Sequence, residues 1–334
     1  MGIPLVQKAR LSAYIFTQRL RHRERFPLVL MLEPLFRCNL RCRGCGKIGY
    51  PAETLRRSMT PEECITAVEE CGAPVVSIAG GEPLLHPEIA VITRELVARK
   101  KFVYLCTNSL LVEKRIREFE PSPYLTFNVH LDAMNQRHDE RVGLPGVFDV
   151  AVSAIRMLLS RDFRVTTNTT IFKGETAESA GELFDLLTGL GVEAMTVASA
   201  FNYENAPDQE NFFIREEAVS LFRSVLELGR GKSWRFNHTS LYLDFLAGNQ
   251  DYACLPWGNP TRNIFGWQRP CYLLNDGYEP TFQDLMKNTD WSRYGAGRDP
   301  RCAHCMLHCG FEPTAVVDSV KHPLKALRAS FRLR

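Results

Sequence analysis

The sequence predicts an α/β fold: a parallel sheet or barrel, followed by an extension rich in cysteine and aromatic residues. Three observations predict it. Short apolar runs of β type alternate with amphipathic helical stretches from about residue 28 to residue 235, and such alternation argues for parallel strands with chemistry at their carboxyl ends. The chain has 334 residues, 45% of them hydrophobic, enough for a sizeable core and against wholesale disorder. Its eleven cysteines are clustered, three within residues 38–45 and five after residue 253.

In chain order, residues 1–27 read as a basic amphipathic helix. Val6, Ala9, Ala13, Phe16 and Leu20 step by three and four, with Lys8, Arg10, Arg19 and Arg21 beside them, while Leu11 and Ile15 lie off that stripe. Residues 28–32 form the first apolar strand. Residues 61–71 read as a helix opened by Thr60 and closed by Gly72. Residues 74–79 are the second strand and run into Gly80-Gly81-Glu82-Pro83, where two glycines let a ligand approach the backbone closely. Residues 102–108 are the third strand and carry Cys106. Residues 124–131 are the fourth, ending in His130-Leu131-Asp132-Ala133. Residues 164–172 and 193–199 are the fifth and sixth, with helices expected at 87–99, 148–159 and 178–190. The barrel is expected to end near residue 235, and residues 236–334 make the extension.

No stretch reaches the roughly 18 apolar residues of a membrane span, and Lys8, Arg10 and Gln18 interrupt any signal-peptide core. A cytoplasmic protein is therefore expected, and there clustered cysteines point to metal or catalysis rather than disulfides. Cys64 and Cys71 fall on a helix and read as packing residues. The loop Cys38-Asn39-Leu40-Arg41-Cys42-Arg43-Gly44-Cys45 offers three thiolates with no fourth cysteine for eighteen residues. Three ligands would leave one iron of a cubane cluster open, and a structural zinc site with a distant fourth ligand is the alternative. The late set is Cys254, Cys271, Cys302, Cys305 and Cys309. A close C-x2-C pair joined to remote cysteines is a metal signal, for a second Fe–S cluster or, with His304 and His308 added, for zinc. Packing is the third option.

The C-x3-C-x2-C loop followed by a strand ending in Gly-Gly-Glu-Pro resembles the radical S-adenosylmethionine (SAM) superfamily. The resemblance implies a partial (β/α)6 TIM-like barrel. It also implies a [4Fe-4S] cluster on Cys38, Cys42 and Cys45 whose open iron chelates the amino and carboxylate groups of SAM. Gly80, Gly81, Glu82, Pro83, Asn108, His130, Asp132 and Asn168 are the cofactor-binding candidates it supplies, and reduced flavodoxin or ferredoxin the expected electron donor. The late cysteines are similar to auxiliary-cluster extensions of the SPASM or twitch type. Two departures stand out: Gly44 replaces the usual aromatic before the third cysteine, and His130-Leu131-Asp132-Ala133 replaces the usual Ser-Leu-Asp-Gly.

The stretches 32–40, 45–48, 71–78, 102–108 and 257–263 are more distinctive and look like the hopanoid-biosynthesis radical SAM family HpnH, the adenosylhopane synthases. That resemblance implies diploptene, an apolar triterpene alkene, as substrate, and addition of the 5′-deoxyadenosyl group to its terminal alkene. Cys106 is the catalytic candidate, as donor of the hydrogen atom that quenches the product radical; packing is its ordinary alternative. Residues 241–282 hold nine aromatics, read either as a subdomain core or as the wall of a hydrocarbon cavity. Two other functions fit the motifs: an auxiliary-cluster maturase abstracting hydrogen from a peptide or other substrate, and a non-enzymatic zinc or Fe–S regulator.

The net charge of +3 is uneven. Residues 1–26 hold six Lys/Arg and one acid, residues 319–334 hold five Lys/Arg and no acid, and the body between them is acidic. An acidic body argues against a nucleic-acid partner. Near the C-terminus Val320, Leu324, Leu327 and Phe331 are each followed by a basic residue. Both ends thus read as basic helices, either peripheral at the inner face of a membrane or docked on the barrel with solvated basic faces.

Overall fold

The computed structural model of the chain describes residues 4–332 apart from residue 48, residues 202–205 and residues 207 and 208. Ile48 and Arg334 lie outside the described residues. Six parallel strands form the body: β1 (Val29–Glu33), β2 (Val75–Ile78), β3 (Phe102–Thr107), β4 (Leu125–His130), β5 (Arg164–Ile171) and β6 (Ala194–Ser199), each paired with the next in sequence. Helix α1 (Leu5–Leu20) precedes them. The crossovers carry α2 (Ala52–Arg56), α3 (Pro61–Cys71), α4 (Ile89–Ala98), α5 (Val112–Arg115), α6 (Asn135–Val142), α7 (Val147–Leu159) and α8 (Ala177–Leu190). From β1 to β6, the bounds lie within two residues of the expected ones wherever the sequence predicts an element. Helix α3 shows why: Thr60 Oγ1 accepts from the Glu63 amide, the Glu63 carboxylate accepts from the Thr60 amide at 2.7 Å, and Gly72 closes the helix at φ +69°.

Helix α9 (Arg215–Leu228) follows β6, and the extension of residues 236–334 opens with α10 (Ser240–Leu246). It continues with β7 (Thr261–Asn263), β8 (Gly266–Pro270), β9 (Asn275–Glu279), α11 (Phe282–Asn288), α12 (His308–Lys321) and α13 (Pro323–Arg332). It is built into the same sheet. β7 pairs in parallel with β1, with Met31 opposite Thr261, and β8 and β9 add antiparallel strands, giving the order β6-β5-β4-β3-β2-β1-β7-β8-β9. Pairing with β7 satisfies the backbone groups that β1 would otherwise present as a sheet edge.

Side chains alternate across each strand. Leu30, Leu32, Val76, Ile78, Val103, Leu105, Phe127 and Val165 are buried in the main hydrophobic core. Met31, Ser77, Cys106, Asn128 and Ala198 point the other way and line a central cavity. The nine aromatics of residues 241–282 mostly pack the extension: Trp267, Tyr242 and Phe245 are fully buried, Phe245 stacks on Phe311 at 4.7 Å, and Tyr272 alone of the nine lines the cavity. The cavity's apolar wall comes instead from α1 (Leu11, Ile15) and α12–α13 (Val316, Val320, Leu327). Helix α1 lies against the amino-terminal side of the strands, where the Gln7 amide donates to the Tyr104 hydroxyl at 3.0 Å and Arg10 reaches the Lys100 carbonyl.

Candidate active site

One cavity of about 1240 Å³ gathers Cys38, Cys42, Cys45, Gly80, Gly81, Glu82, Cys106, Asn108, His130, Asp132 and Asn168. Every candidate of the early motifs except Pro83 therefore lines a single space. Pro83 instead opens a buried turn, Pro83–Leu85, just behind it.

The cysteine loop leaves β1 and is clamped by the end of β2. The Gly81 amide donates to the Leu35 carbonyl and the Glu82 amide to the Arg37 carbonyl, both at 2.9 Å. A Cβ at Gly81 would run into the Phe36 and Arg37 carbonyls, and one at Gly80 (φ +105°) into that of Leu35. The close approach that the two glycines permit is thus made by the chain's own loop, which they hold one residue short of Cys38. Glu82 is buried beneath that clamp. Its carboxylate accepts from the Leu84 amide (2.9 Å), the Thr107 hydroxyl (2.9 Å) and the Asn108 amide (2.7 Å). Burial pushes its pKa up to about 7 in spite of these donors.

Asn108 ties the end of β3 to the same loop, its amide donating to Asn39 Oδ1 at 2.7 Å and lying 3.7 Å from Cys38 Sγ. The Leu40 amide lies 3.4 Å from that sulfur. At the end of β4, His130 Nε2 and Asp132 Oδ2 stand 2.8 Å apart, and Asp132 Oδ1 accepts from the Thr170 amide at 2.8 Å. Burial opposes charge on both groups, but their mutual attraction prevails, raising the His130 pKa and lowering that of Asp132. The Asp132 amide donates to His138 Nδ1 at 3.2 Å, and burial lowers the His138 pKa to about 4.

Cys106 lies deeper, on β3. Its Sγ is 3.5 Å from Ser77 Oγ and 3.5 Å from Asn128 Nδ2, and burial raises its pKa, which keeps the thiol protonated. Position 44, which has no aromatic, faces one that follows β5: a Cβ on Gly44 would stand 2.8 Å from the Phe172 ring, and the Arg141 guanidinium lies 4.9 Å from that ring's centre. The motif does not reveal the roles of Phe172, Arg141 or Asn39, because each depends on contact between segments far apart in sequence: Arg141 of α6 with Phe172 after β5, and Asn39 with Asn108 after β3.

The second set of cysteines meets at a separate small cavity of about 30 Å³, lined by Cys254, Cys271, Cys302, Cys305 and Cys309. A Cβ on Gly310 would strike Cys254 Sγ. The two histidines weighed for zinc are elsewhere: His304 Nδ1 accepts from the Arg215 amide, and His308 lines the large cavity. The donor set is therefore all sulfur.

Among the described residues, no three Cys, His, Asp or Glu side chains stand close enough together, as placed, to grip a metal ion. The donor chemistry fits a cluster at the first loop nonetheless. Three thiols from one loop share a cavity wall, N–H groups approach the Cys38 sulfur as they would a ligating thiolate, and open space adjoins the thiols for a further ligand.

Residues 32–187 match the Radical SAM superfamily, and residues 195–329 match a domain of unknown function, DUF3463. The AdoMet-dependent heme synthase of Methanosarcina barkeri is 30% identical over 176 residues, covering 51% of this chain and 50% of that protein. The GTP 3′,8-cyclase of Aquifex aeolicus is 28% identical, covering 49% and 54%. The chain thus spans about half the length of these relatives. In fold, it is similar to Streptococcus suis SuiB bound to the precursor peptide SuiA, with a TM-score of 0.66 at 15% identity, covering 90% of this chain and 74% of that one. SuiB is also solved bound to S-adenosylmethionine. The cofactors that go with this fold are a [4Fe-4S] cluster and SAM. Residues 32–187, from the end of β1 through most of α8, carry the match to the Radical SAM superfamily.

Proposed function

We propose that this radical SAM enzyme adds the 5′-deoxyadenosyl group to the terminal alkene of diploptene, giving adenosylhopane. The observation that carries the reading is the cavity. Its polar end holds the candidate cofactor residues, and its other end is walled by Leu11, Ile15, Val316, Val320 and Leu327, a surface suited to a bulky hydrocarbon.

Cys38, Cys42 and Cys45 would hold the [4Fe-4S] cluster. When bound, cluster and SAM supply the 5′-deoxyadenosyl group as a carbon radical. Glu82, Asn108, His130 and Asp132 fix the loop and strand ends around it, and the phenyl ring of Phe172 adds an apolar wall. The substrate's terminal CH2 takes up C5′, which leaves its tertiary carbon to be quenched. Cys106 gives that carbon its thiol hydrogen atom, and one electron and one proton then restore the thiol. Reduced flavodoxin or ferredoxin is proposed as the source of electrons. The late cysteines are proposed to hold a second Fe–S cluster, with zinc as the alternative on the same thiols. A substrate of this kind dissolves in a bilayer, so the reading carries peripheral membrane contact with it. Ala198→Phe, on β6, fills part of the cavity. We expect it to cut adenosylhopane formation at least about tenfold, as over-packing would, while reductive cleavage of SAM without substrate continues. Unchanged product formation would count against the cavity as the substrate site.

A second reading, hydrogen abstraction from a peptide or other polar substrate, is favoured by one observation. The cavity also includes Asn237, His308 and Glu312, and His308 Nδ1 is buried without a hydrogen-bond partner. Accumulation of free 5′-deoxyadenosine in step with a modified polar substrate would select it.

A further inference from the structure

We propose that the outer faces of α1 and α13 form a docking surface for a bilayer with anionic headgroups, placed around the apolar opening of the cavity. The inference rests on the reading of that cavity as the site of an apolar substrate.

Both helices dock the wrong way round for ordinary core packing. Helix α1 turns Gln7, Gln18 and Ile15 inward and leaves its apolar stripe outside: Phe16 is 62% and Leu20 65% exposed, with Ala9 and Ala13 exposed on the turns before them. Helix α13 buries Ala329, while Leu324 and Phe331 are 71% and 63% exposed. A helix gains stability in water by burying its apolar stripe, so two cavity-lining helices with the stripe outward each present a face suited to another apolar phase.

These faces stand at the cavity's opening. Ser12 on α1 and Val320, Pro323 and Leu327 on α12–α13 line the cavity and are exposed as well, so its wall meets solvent between the two helices. Four exposed lining residues at the cluster end are charged instead, Arg43, Arg137, Glu140 and Lys173, with Gly174 beside them. The opening between α1 and α12–α13 is therefore matched chemically to an apolar molecule.

Charge selects the occupant. Around the apolar stripes lie Arg21, Lys321 and Arg328, all exposed, and the two terminal segments together carry eleven basic residues against one acid. A second copy meeting this face with its own would bring like charges together, whereas an anionic lipid surface attracts it. No single helix among the described residues is long and apolar enough to cross a membrane, so the contact is with the bilayer surface.

The test is co-sedimentation of the full chain, cluster-loaded and kept anaerobic, with vesicles of phosphatidylcholine alone or mixed with phosphatidylglycerol. The wild type is expected to sediment with the mixed vesicles about tenfold more than with neutral ones, and to be released by salt. Phe16→Ser/Leu20→Ser/Leu324→Ser/Phe331→Ser, all exposed and outside the cavity, should reduce binding about tenfold with unchanged thermal melting. Arg21→Gln/Lys321→Gln/Arg328→Gln should remove the lipid preference. Wild type left in the supernatant with both vesicles, or a serine variant that sediments like wild type, would overturn the proposal. So would a dimer in analytical ultracentrifugation that the serine variant splits, since a second copy would then cover the face. Turnover of micelle-delivered substrate is measured separately. If it proceeds without vesicle binding, only the surface falls; if vesicles bind and no alkene is adenosylated, only the functional reading falls.

Discussion

Gly81→Ala tests the clamp that sets the cysteine loop. The added methyl would overlap the carbonyl oxygens of Phe36 and Arg37, which are backbone atoms and cannot turn aside as a side chain could. Relief requires β2 and the loop to part, which gives up the Gly81–Leu35 and Glu82–Arg37 hydrogen bonds, each 2.9 Å. At about 0.5–1.5 kcal/mol apiece, the loss is about 1–3 kcal/mol of loop order, a fall of about 5- to 150-fold in the ordered population. The global fold should survive, because the main core lies on the far face of β2 around Val76 and Ile78. The assay is iron and sulfide per chain after anaerobic reconstitution, with thermal melting as the fold control. Gly189→Ala is the matched control: Gly189 lies within α8, and a Cβ added there would meet nothing within 4 Å, so the variant should keep its iron and gain about 0.5–1 kcal/mol of stability. Gly81→Ala protein with wild-type iron and SAM affinity would refute the clamp.

Cys106→Ala should leave SAM cleavage intact while adenosylhopane formation falls at least about tenfold, since the tertiary carbon loses its hydrogen donor; product at the wild-type rate, measured anaerobically, excludes the role. Replacing Cys38, Cys42 and Cys45 together with Ala should remove the iron that supports SAM cleavage and leave any iron held by the late cysteines, so iron analysis of this variant and of Cys271→Ala/Cys305→Ala reads the two sites apart. Buried His138 and His308 have pKa values lowered to about 4 and about 3, below the usual 6.5. The folded state then binds fewer protons than the unfolded one, so stability is full above pH 6.5 and declines as pH falls toward 4, by roughly 3 kcal/mol for His138 alone. Urea melts against pH should show this decline, and His138→Gln should lessen it by about that 3 kcal/mol, leaving the share of His308; a decline as large as the wild type's in the variant would assign it elsewhere.

Much of this arrangement is legible in the sequence, because strands and helices of the barrel are set by local apolar period and by caps such as Thr60 and Gly72. The two early motifs fall together for the same reason, each sitting just after a strand in a parallel sheet. What local pattern cannot carry is contact between distant segments. That β7 pairs beside β1 depends on contact across more than 200 residues, and the approach of Phe172 to Gly44 depends on the end of β5 reaching the cysteine loop. The aromatic-rich stretch reads equally as core or cavity wall, and only burial of Trp267 and Phe245 decides for core. The stripe on α1 is legible as apolar, but its direction is not, since Leu11 and Ile15 off the stripe do the docking.

The central claim is that one cavity joins adenosyl chemistry to an apolar alkene. It is tested most directly by incubating the reduced, cluster-loaded protein anaerobically with diploptene and SAM labelled in its adenosyl group, then following the label. Label is expected in a lipid-soluble product whose mass equals diploptene plus the deoxyadenosyl group and one hydrogen, formed in step with SAM consumed. Label recovered wholly as free 5′-deoxyadenosine, with diploptene unchanged, would contradict it.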